Sequence, residues 1–583
     1  MSPNVDPDVR LARRRLRIVA AVFAMALVGL GVRLVELALP SGEAAVAANA
    51  PISARPRRAN IVDRNGDLIA TDYPKASVFA DPALVLDPAA SARQLAAVLD
   101  GVSEAELLAK LSGERRFVWL KRHITSAEQR AVVRLGLPGI HFRTEQHRIY
   151  PNGPLAAHLV GYVGVENQGL AGIERGLEDR LTDDPRDLVL TIDLGVQQTV
   201  RAELLAAVTR FRAQGGSGIV LDLATGELLG MVSLPDFDPN RYQRASRAQR
   251  FNRNSQGSYE LGSLFKLFTV AMALDAGVVG MTDGYDASRK FEMGRHRIDD
   301  YHAHRRWLSV PEIVAFSSNI GAARMADALG GEAQRGYFRR MGLLDRHPIG
   351  LPEIGRPMVP DPWRPINTIT AAYGHGIGVS PLQVVDAVAG AICGQAPPSA
   401  HVVAENPPPQ RSTPVVSAET AARLRWLMWL TVAEGTGGQA DVPGYLVGGK
   451  TGSADKAGPG GYRGRGILAS FVAAFPIDRP RYVVLVILDE PKGDAGTYGY
   501  STGGWTAAPT VERIISRIGP LVGLPPVDPT AEQWFRDRLI MGQAQNGRTG
   551  QREASLAAAP NLSWLKGNGG EQACACGPCW VTG

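Results

Sequence analysis

The longest apolar run of the chain extends unbroken from Ile18 to Val32; Arg33 and Glu36 interrupt it, and it resumes to Leu39 before Pro40. Counted to Leu39, it is long enough to span a bilayer as a helix, with Arg33 and Glu36 near the far interface. Arg10, Arg13, Arg14, Arg15 and Arg17 precede it, which predicts the N-terminus inside and the remainder outside. A cleavable signal peptide is a second reading, because a basic start, a short apolar stretch and the small residues Ala45, Val46 and Ala47 also fit one. The arginine-rich flank and the Arg33/Glu36 break favour an anchor that stays. Both readings place the main body outside the cytoplasm. No later segment reads as a second span: Tyr482 to Leu488 has the length of a strand, and Leu264 to Leu274 is too short to cross.

Beyond the anchor the pattern shortens. Residues 51–184 alternate helix-like and strand-like pieces, with one helix expected over Ala89 to Lys110, and carry no catalytic constellation. Leu188 to Asp193 reads as a strand leaving a linker. Residues 217–234 read strand, turn, strand, with the turn at Ala224-Thr225-Gly226-Glu227. Gly466 to Phe475 and Arg481 to Leu488 form a second strand pair around Pro476 and Pro480. Strands at both ends of a region with helices between them predict one antiparallel sheet flanked by helices. The polar, Gly- and Ala-rich stretch 528–583 reads as a disordered extension.

Composition adds little to that picture. A chain of 583 residues exceeds one ordinary core, so two or more folded units are expected. The net charge of +6 suits membrane headgroups, carboxylate-rich polymers or nucleic acid. No zinc-finger spacing, RNP-like signature or phosphate-binding GxxxxGK[ST] loop is present, so nucleic acid is the weakest of the three. Cys393 stands alone in the body while Cys574, Cys576 and Cys579 crowd the end; a fold held by its core, not by disulfides, is expected. The terminal trio lacks a fourth ligand nearby and reads as unstructured tail before it reads as a metal site.

Chemistry enters at Gly262-Ser263-Leu264-Phe265-Lys266, which opens the nearly all-apolar stretch to Leu274. A helix apolar on every face is buried, and a lysine in its first turn is costly without a partner. Ser263 lies one turn earlier on the same face. The pair makes sense if desolvation lowers the lysine pKa and the neutral amine takes the serine proton. The pattern Ser-x-x-Lys alone is weak: Ser453 to Lys456 and Ser563 to Lys566 match it too. Ser317-Ser318-Asn319 precedes a helical stretch and by itself reads as a serine N-cap. Lys450-Thr451-Gly452-Ser453 reads as part of a strand, with one cation and two hydroxyls expected on the same face, an arrangement that suits a carboxylate. The order Ser-x-x-Lys, Ser-x-Asn, Lys-Thr-Gly is the joint signature of the class A β-lactamases and penicillin-binding proteins, here with Ser-Ser-Asn for Ser-Asp-Asn.

On these residues the chain resembles the class B, monofunctional penicillin-binding proteins, and within them the division-specific branch. Arg57 to Gly66, Arg148 to Pro151 and Gly169 to Arg175 look like the family's membrane-proximal motifs, with Ala59 where Gly is usual. Tyr259 to Lys266 resembles its nucleophile segment, with Leu261 where many members carry Pro. Gly374 to Gln383, Glu434 to Gly437 and Gly503 to Pro509 also match. The resemblance runs from about Arg10 to Pro526.

It implies an α/β (α+β) fold: a penicillin-recognising serine transpeptidase domain over 185–527, with a central antiparallel sheet flanked by helices. That domain would stand on an elongated, non-catalytic pedestal of the dimerisation type, 51–184, behind a transmembrane anchor, 18–39, and a basic cytoplasmic tail, 1–17. It implies that Ser263 attacks a stem-peptide carbonyl, with Lys266 as base and Ser317 and Asn319 relaying protons and orienting Lys266 and substrate. Lys450, Thr451, Gly452 and Ser453 would hold the donor carboxylate, and backbone N–H groups of Ser263 and Ser453 would form an oxyanion hole. No metal or cofactor is implied. The implied partners are peptidoglycan stem peptides, β-lactam antibiotics, a membrane glycan polymerase of the FtsW kind and other division proteins. The implied place is the cytoplasmic membrane, single-pass, with the catalytic domain in the periplasm. His375 is expected in a loop or structural role, and Arg57, Arg58, Arg64 and Glu174 in structural contacts. A D,D-carboxypeptidase of the same superfamily and a non-catalytic membrane-anchored scaffold remain as alternatives.

Overall fold

The computed structural model describes residues 18–19, 21–31, 57–405, 407, 413–456 and 466–526. The basic N-terminal cluster, the Ala45–Ala47 segment, the extension with its three cysteines and the Ser563 to Lys566 match lie outside the described residues, as does part of the expected anchor. Residues 18–19 and 21–31 are helical, with exposed apolar side chains such as Phe23, Met25 and Leu27. Among the described residues no helix is long and apolar enough to cross a membrane.

Two compact units make up the rest. The smaller includes 75–146; the larger comprises 57–74 and the described residues from 147 onward. Ala59, Ile61, Tyr150, Leu159, Ile173 and Leu181 share a hydrophobic core with Leu190, Ile219 and Leu267, so the flanks of the expected pedestal are built into the larger unit.

In the smaller unit, the single helix expected over Ala89 to Lys110 is two: Pro88–Ala96 and Glu104–Leu111. Gly101 takes a positive φ of 74° between them, which suits glycine. The Ser103 hydroxyl then caps the second helix by accepting the Glu106 amide. Leu95, Leu107, Leu111, Leu120 and Val132 form this unit's core.

The larger unit is organised on one five-stranded sheet. Helix α1 (Leu194–Arg210) leads into strands β1 (Gly215–Asp222) and β2 (Leu228–Leu234). Helices α2 (Lys266–Asp275), α3 (Asn319–Leu329), α4 (Pro381–Cys393) and α5 (Ala418–Ala433) follow. The chain then returns through β3 (Gly448–Asp455), β4 (Ile467–Phe475) and β5 (Tyr482–Asp489), and ends in α6 (Ala508–Leu521). The strands lie in the order β3-β4-β5-β1-β2, every neighbouring pair antiparallel. The two strand pairs read from the sequence are thus joined by β5 against β1, and β3 is an edge.

Alternation explains why these strands are apolar throughout. Val220, Val484, Val486 and Leu488 face a core shared with Val196, Val200 and Leu204 of α1 and Ile514 and Ile518 of α6. Ile219, Leu221, Val483, Leu485 and Ile487 face the core of α2, α4 and α5. With both faces buried, hydrophobic positions need not alternate with polar ones. The segment expected as a strand over Leu188 to Asp193 is shorter: Leu188–Val189 pairs with Ile61–Val62, and Asp193 already caps α1.

Candidate active site

Ser263 lies in a one-turn 3₁₀ helix, Gly262–Phe265, that runs into α2 at Lys266. In a 3₁₀ turn residues i and i+3 eclipse, so the lysine stem passes directly over the serine. Lys266 Nζ sits 3.0 Å from Ser263 Oγ. Ser263 is half-buried, whereas Lys266 is 1% exposed.

Ser317 completes the contact from another element. Lys266 Nζ reaches both its carbonyl oxygen and, at 3.1 Å, its Oγ. Lys450 Nζ, 0% exposed, donates to the same Oγ at 3.0 Å. Ser263, Lys266, Ser317 and Lys450 therefore form one continuous chain of polar atoms. Ser317 holds its place with φ of +60°, a backbone state that a non-glycine residue keeps only where its surroundings impose it. The N-cap reading of Ser317-Ser318-Asn319 is also correct, one residue on: Ser318 caps α3 by accepting the Gly321 amide at 3.0 Å.

Burial pushes the Lys266 amine well below the ordinary lysine range, and the neighbouring Lys450 adds to it; Asp300 acts in the opposite sense. Burial lowers Lys450 to about 7. With Lys266 neutral, the valences close. The Ser317 carbonyl can only accept, so one N–H of Nζ goes there and the second goes to Ser317 Oγ. The nitrogen lone pair is left for the Ser263 O–H. That is the geometry of a base poised on a nucleophile.

The third element differs from expectation in one respect. Strand alternation puts Thr451 and Ser453 on one face of β3 and Lys450 on the other, so the cation and the two hydroxyls do not share a face. They still meet, because the long lysine stem brings Nζ to 3.2 Å from Thr451 Oγ1. Thr451 Oγ1 lies 2.8 Å from Thr436 Oγ1, and Ser453 Oγ accepts the Gly503 amide at 3.0 Å. Gly452 lets the backbones close up: a Cβ there would stand 2.5 Å from the Leu261 carbonyl oxygen. The Asn319 side-chain amide donates to the Asp299 carbonyl at 3.0 Å.

His375 lies in the loop after the helix Pro365–Ala371, its amide donating to the Thr370 carbonyl at 3.0 Å. Burial lowers its pKa. Arg58 and Glu174 are fully buried partners, 2.9 Å apart, and Arg64 pairs with Glu227 at 3.1 Å. These are structural contacts.

Residues to which the sequence assigned no role in the site also shape it. Gly374 is one: a Cβ there would lie 2.2 Å from the Gly262 carbonyl oxygen, and φ is +76°. Gly374→Ala is expected to displace the Gly262–Ser263 backbone and to cut acylation by roughly a hundredfold, measured as the rate of covalent labelling by a fluorescent penicillin on protein with an unchanged circular dichroism spectrum. Asp300, on the loop facing Ser318, is another.

Comparison with known proteins agrees with this geometry. Residues 216–516 match the penicillin binding protein transpeptidase domain, and residues 53–184 the penicillin-binding protein dimerisation domain. The chain belongs to the penicillin-binding proteins, in the class that joins these two domains. Among its relatives, a protein of Caulobacter vibrioides named probable peptidoglycan D,D-transpeptidase FtsI is 38% identical, over 80% of this chain and 82% of its own length. Stage V sporulation protein D of Bacillus subtilis is 32% identical over 81% of this chain and 79% of its own. Penicillin binding protein 3 of Mycobacterium tuberculosis, solved in complex with aztreonam, shares the fold with a TM-score of 0.63 and 23% identity, over 82% of this chain and 98% of its own.

Proposed function

We propose that this protein is a peptidoglycan D,D-transpeptidase of septal wall synthesis, acting through an acyl-enzyme on Ser263 and inhibited by β-lactams. The observation that carries the reading is the buried Ser263–Lys266–Ser317–Lys450 chain inside a transpeptidase-family sheet. Ser263 Oγ attacks the carbonyl carbon of the penultimate D-Ala of a donor stem while its proton passes to Lys266 Nζ. Collapse of the tetrahedral intermediate breaks the peptide bond, and the departing D-Ala amine takes a proton relayed through Ser317 Oγ. The amine of a neighbouring stem then attacks the ester, its proton returns to Ser263, and a cross-link replaces the bond that was broken. Lys450, Thr451 and Ser453 hold the donor carboxylate. β3 is an edge strand, and such a strand carries amides that point off the sheet. In this reading the Ser453 amide is one of them and pairs with that of Ser263 as an oxyanion site. Asn319, on the same motif as Ser317, helps to orient the substrate.

The same reading anchors the chain in the cytoplasmic membrane through residues 18–39, with the catalytic unit in the periplasm. It gives the chain a membrane glycan polymerase and other division proteins as partners. The arginine cluster followed by the apolar run supports this.

Purified protein incubated with nascent strands from a polymerase is expected to release D-Ala and to form joined stems, read by mass spectrometry of the digested product. Trimming without joining would make it a D,D-carboxypeptidase. No covalent labelling by penicillin of folded protein would leave the scaffold reading.

The two lysines set an opposed pH dependence. On the acid side kcat falls as Lys266 takes up a proton and ceases to be a base. Above about 7 the free protein loses the Lys450 cation, so KM for a carboxylate donor climbs with pH. A titration of kcat and KM separately, from pH 5 to 9, checks both limbs.

A further inference from the structure

The three side chains of Ser317-Ser318-Asn319 go to different places, and two of them end on a single loop. That loop connects the short strands His296–Ile298 and Trp307–Ser309. Asp300 accepts the Ser318 hydroxyl at 2.8 Å with one carboxylate oxygen and the Ile320 amide at 2.9 Å with the other. The preceding carbonyl, of Asp299, accepts the Asn319 side-chain amide. Asp300 is 9% exposed. The Asp299 carboxylate is tied in turn to Lys290 at 3.0 Å and Arg305 at 3.1 Å.

A carboxylate on the free amides of a helix's first turn is favourable on two counts, since it satisfies orphan donors and complements the helix dipole. Here it fastens the start of α3 two residues after Ser317, whose left-handed φ must be imposed from outside. We propose that Asp300 is a positioning residue of the acyl-transfer site: through Ser318 and the Ile320 amide it imposes the turn that places Ser317 Oγ between the amines of Lys266 and Lys450. The proposal rests on the transpeptidase reading and adds a residue that touches neither the nucleophile nor the base.

Asp300 also has an electrostatic part. The charged and titratable groups facing Lys266 are Lys450 on β3, Asp300 on this loop and His375 after the Pro365–Ala371 helix. Burial and Lys450 lower its proton affinity, and Asp300 raises it. Removing the negative charge lets Lys266 shed its proton at lower pH.

The test is a double-mutant cycle on the rate of acylation by a fluorescent penicillin, with Asp300→Ala, Ser318→Ala, the pair, and Asp300→Asn. Asp300→Ala is expected to slow acylation roughly ten- to a hundredfold. The double variant should fall short of the product of the two single effects, because both deletions break the shared Asp300–Ser318 contact, while Ser318→Ala also loses the Gly321 cap and Asp300→Ala the Ile320 contact. Asp300→Asn keeps the shape and should recover much of the rate, with the acid limb of the pH profile moved to lower pH. Acylation by Asp300→Ala within about twofold of wild type, or full additivity with Ser318→Ala, overturns the proposal. Should Asp300→Ala not fold, Asp300→Asn decides: a displaced acid limb supports the role, and an unmoved limb at the wild-type rate refutes it. A wild-type protein that is never acylated refutes the transpeptidase reading instead, which keeps the two failures apart.

Discussion

Ser263→Ala is expected to abolish covalent labelling by penicillin, and Lys266→Met to reduce it by roughly 10²–10⁴-fold while leaving the fold intact. The serine effect is expected to be complete because Ser317 Oγ, the other hydroxyl on the Lys266 amine, lies between the two lysines and is committed to both. The lysine effect takes the size of a lost general base. Methionine fills the buried volume of the Lys266 stem, so the change removes the amine and little packing. A buried amine that is neutral contributes no ion pair to folding, and none is found on Lys266 among the described residues. Intact-mass spectrometry after penicillin treatment reads both variants. A penicilloyl adduct on Ser263→Ala, mapped to any other serine, would falsify the assignment of the nucleophile.

The largest loss of stability is expected far from this chemistry, at Glu174. Its carboxylate accepts from Arg58 Nε at 3.1 Å, from Arg148 Nε at 2.6 Å and from the Tyr150 hydroxyl at 3.3 Å. Arg148 also meets Asp72 at 3.2 Å, and all four charged side chains are buried. Glu174 is the carboxylate that both arginines share. Glu174→Ala leaves Arg58 with the partly exposed Glu178 at 2.8 Å and Arg148 with Asp72, strips the buried donors of both guanidinium groups of their acceptor, and is expected to cost about 3–5 kcal/mol. Glu174→Gln, which keeps the hydrogen-bonding oxygen, should cost less. The network lies wholly in the larger compact unit, so thermal unfolding followed by the acylation competence of that unit is the measurement. Acylation per folded molecule at low temperature should stay at the wild-type rate. An unshifted unfolding curve for Glu174→Ala would show that water reaches the site and screens the charge.

What the sequence by itself determined is local or periodic. Ser263 and Lys266 were legible because three residues separate them, and one helical turn brings such a pair together whatever surrounds it. The apolar runs of β1, β2, β4 and β5 were legible as strands because each is short, bounded by turns and buried on both faces. The flanking helices followed from what such strands must pack against. The order of three weak motifs named the family, although only Ser-x-x-Lys placed its residues relative to one another.

Everything non-local was left to the tertiary structure. Ser317 lies 51 positions from Lys266 and 133 from Lys450, and only packing brings its hydroxyl between them. Its left-handed backbone follows from contacts that α3 makes and from no propensity of serine. Lys450 was expected to share a face with Thr451 and Ser453; pleating forbids that, and the length of the lysine stem restores the meeting. Asn319 was legible as a residue of the motif, but its hydrogen bond to Asp299 was not. Gly374, Asp300 and the pairing of Arg58 with Glu174 depend on segments distant in the chain and approaching within bonding distance, a property that no window of sequence contains. The compact-unit boundary was decided the same way. Residues 57–74 and 147–184 read as part of the pedestal by position, yet their apolar side chains are buried in the core of the larger unit, because burial against an available core outweighs adjacency along the chain.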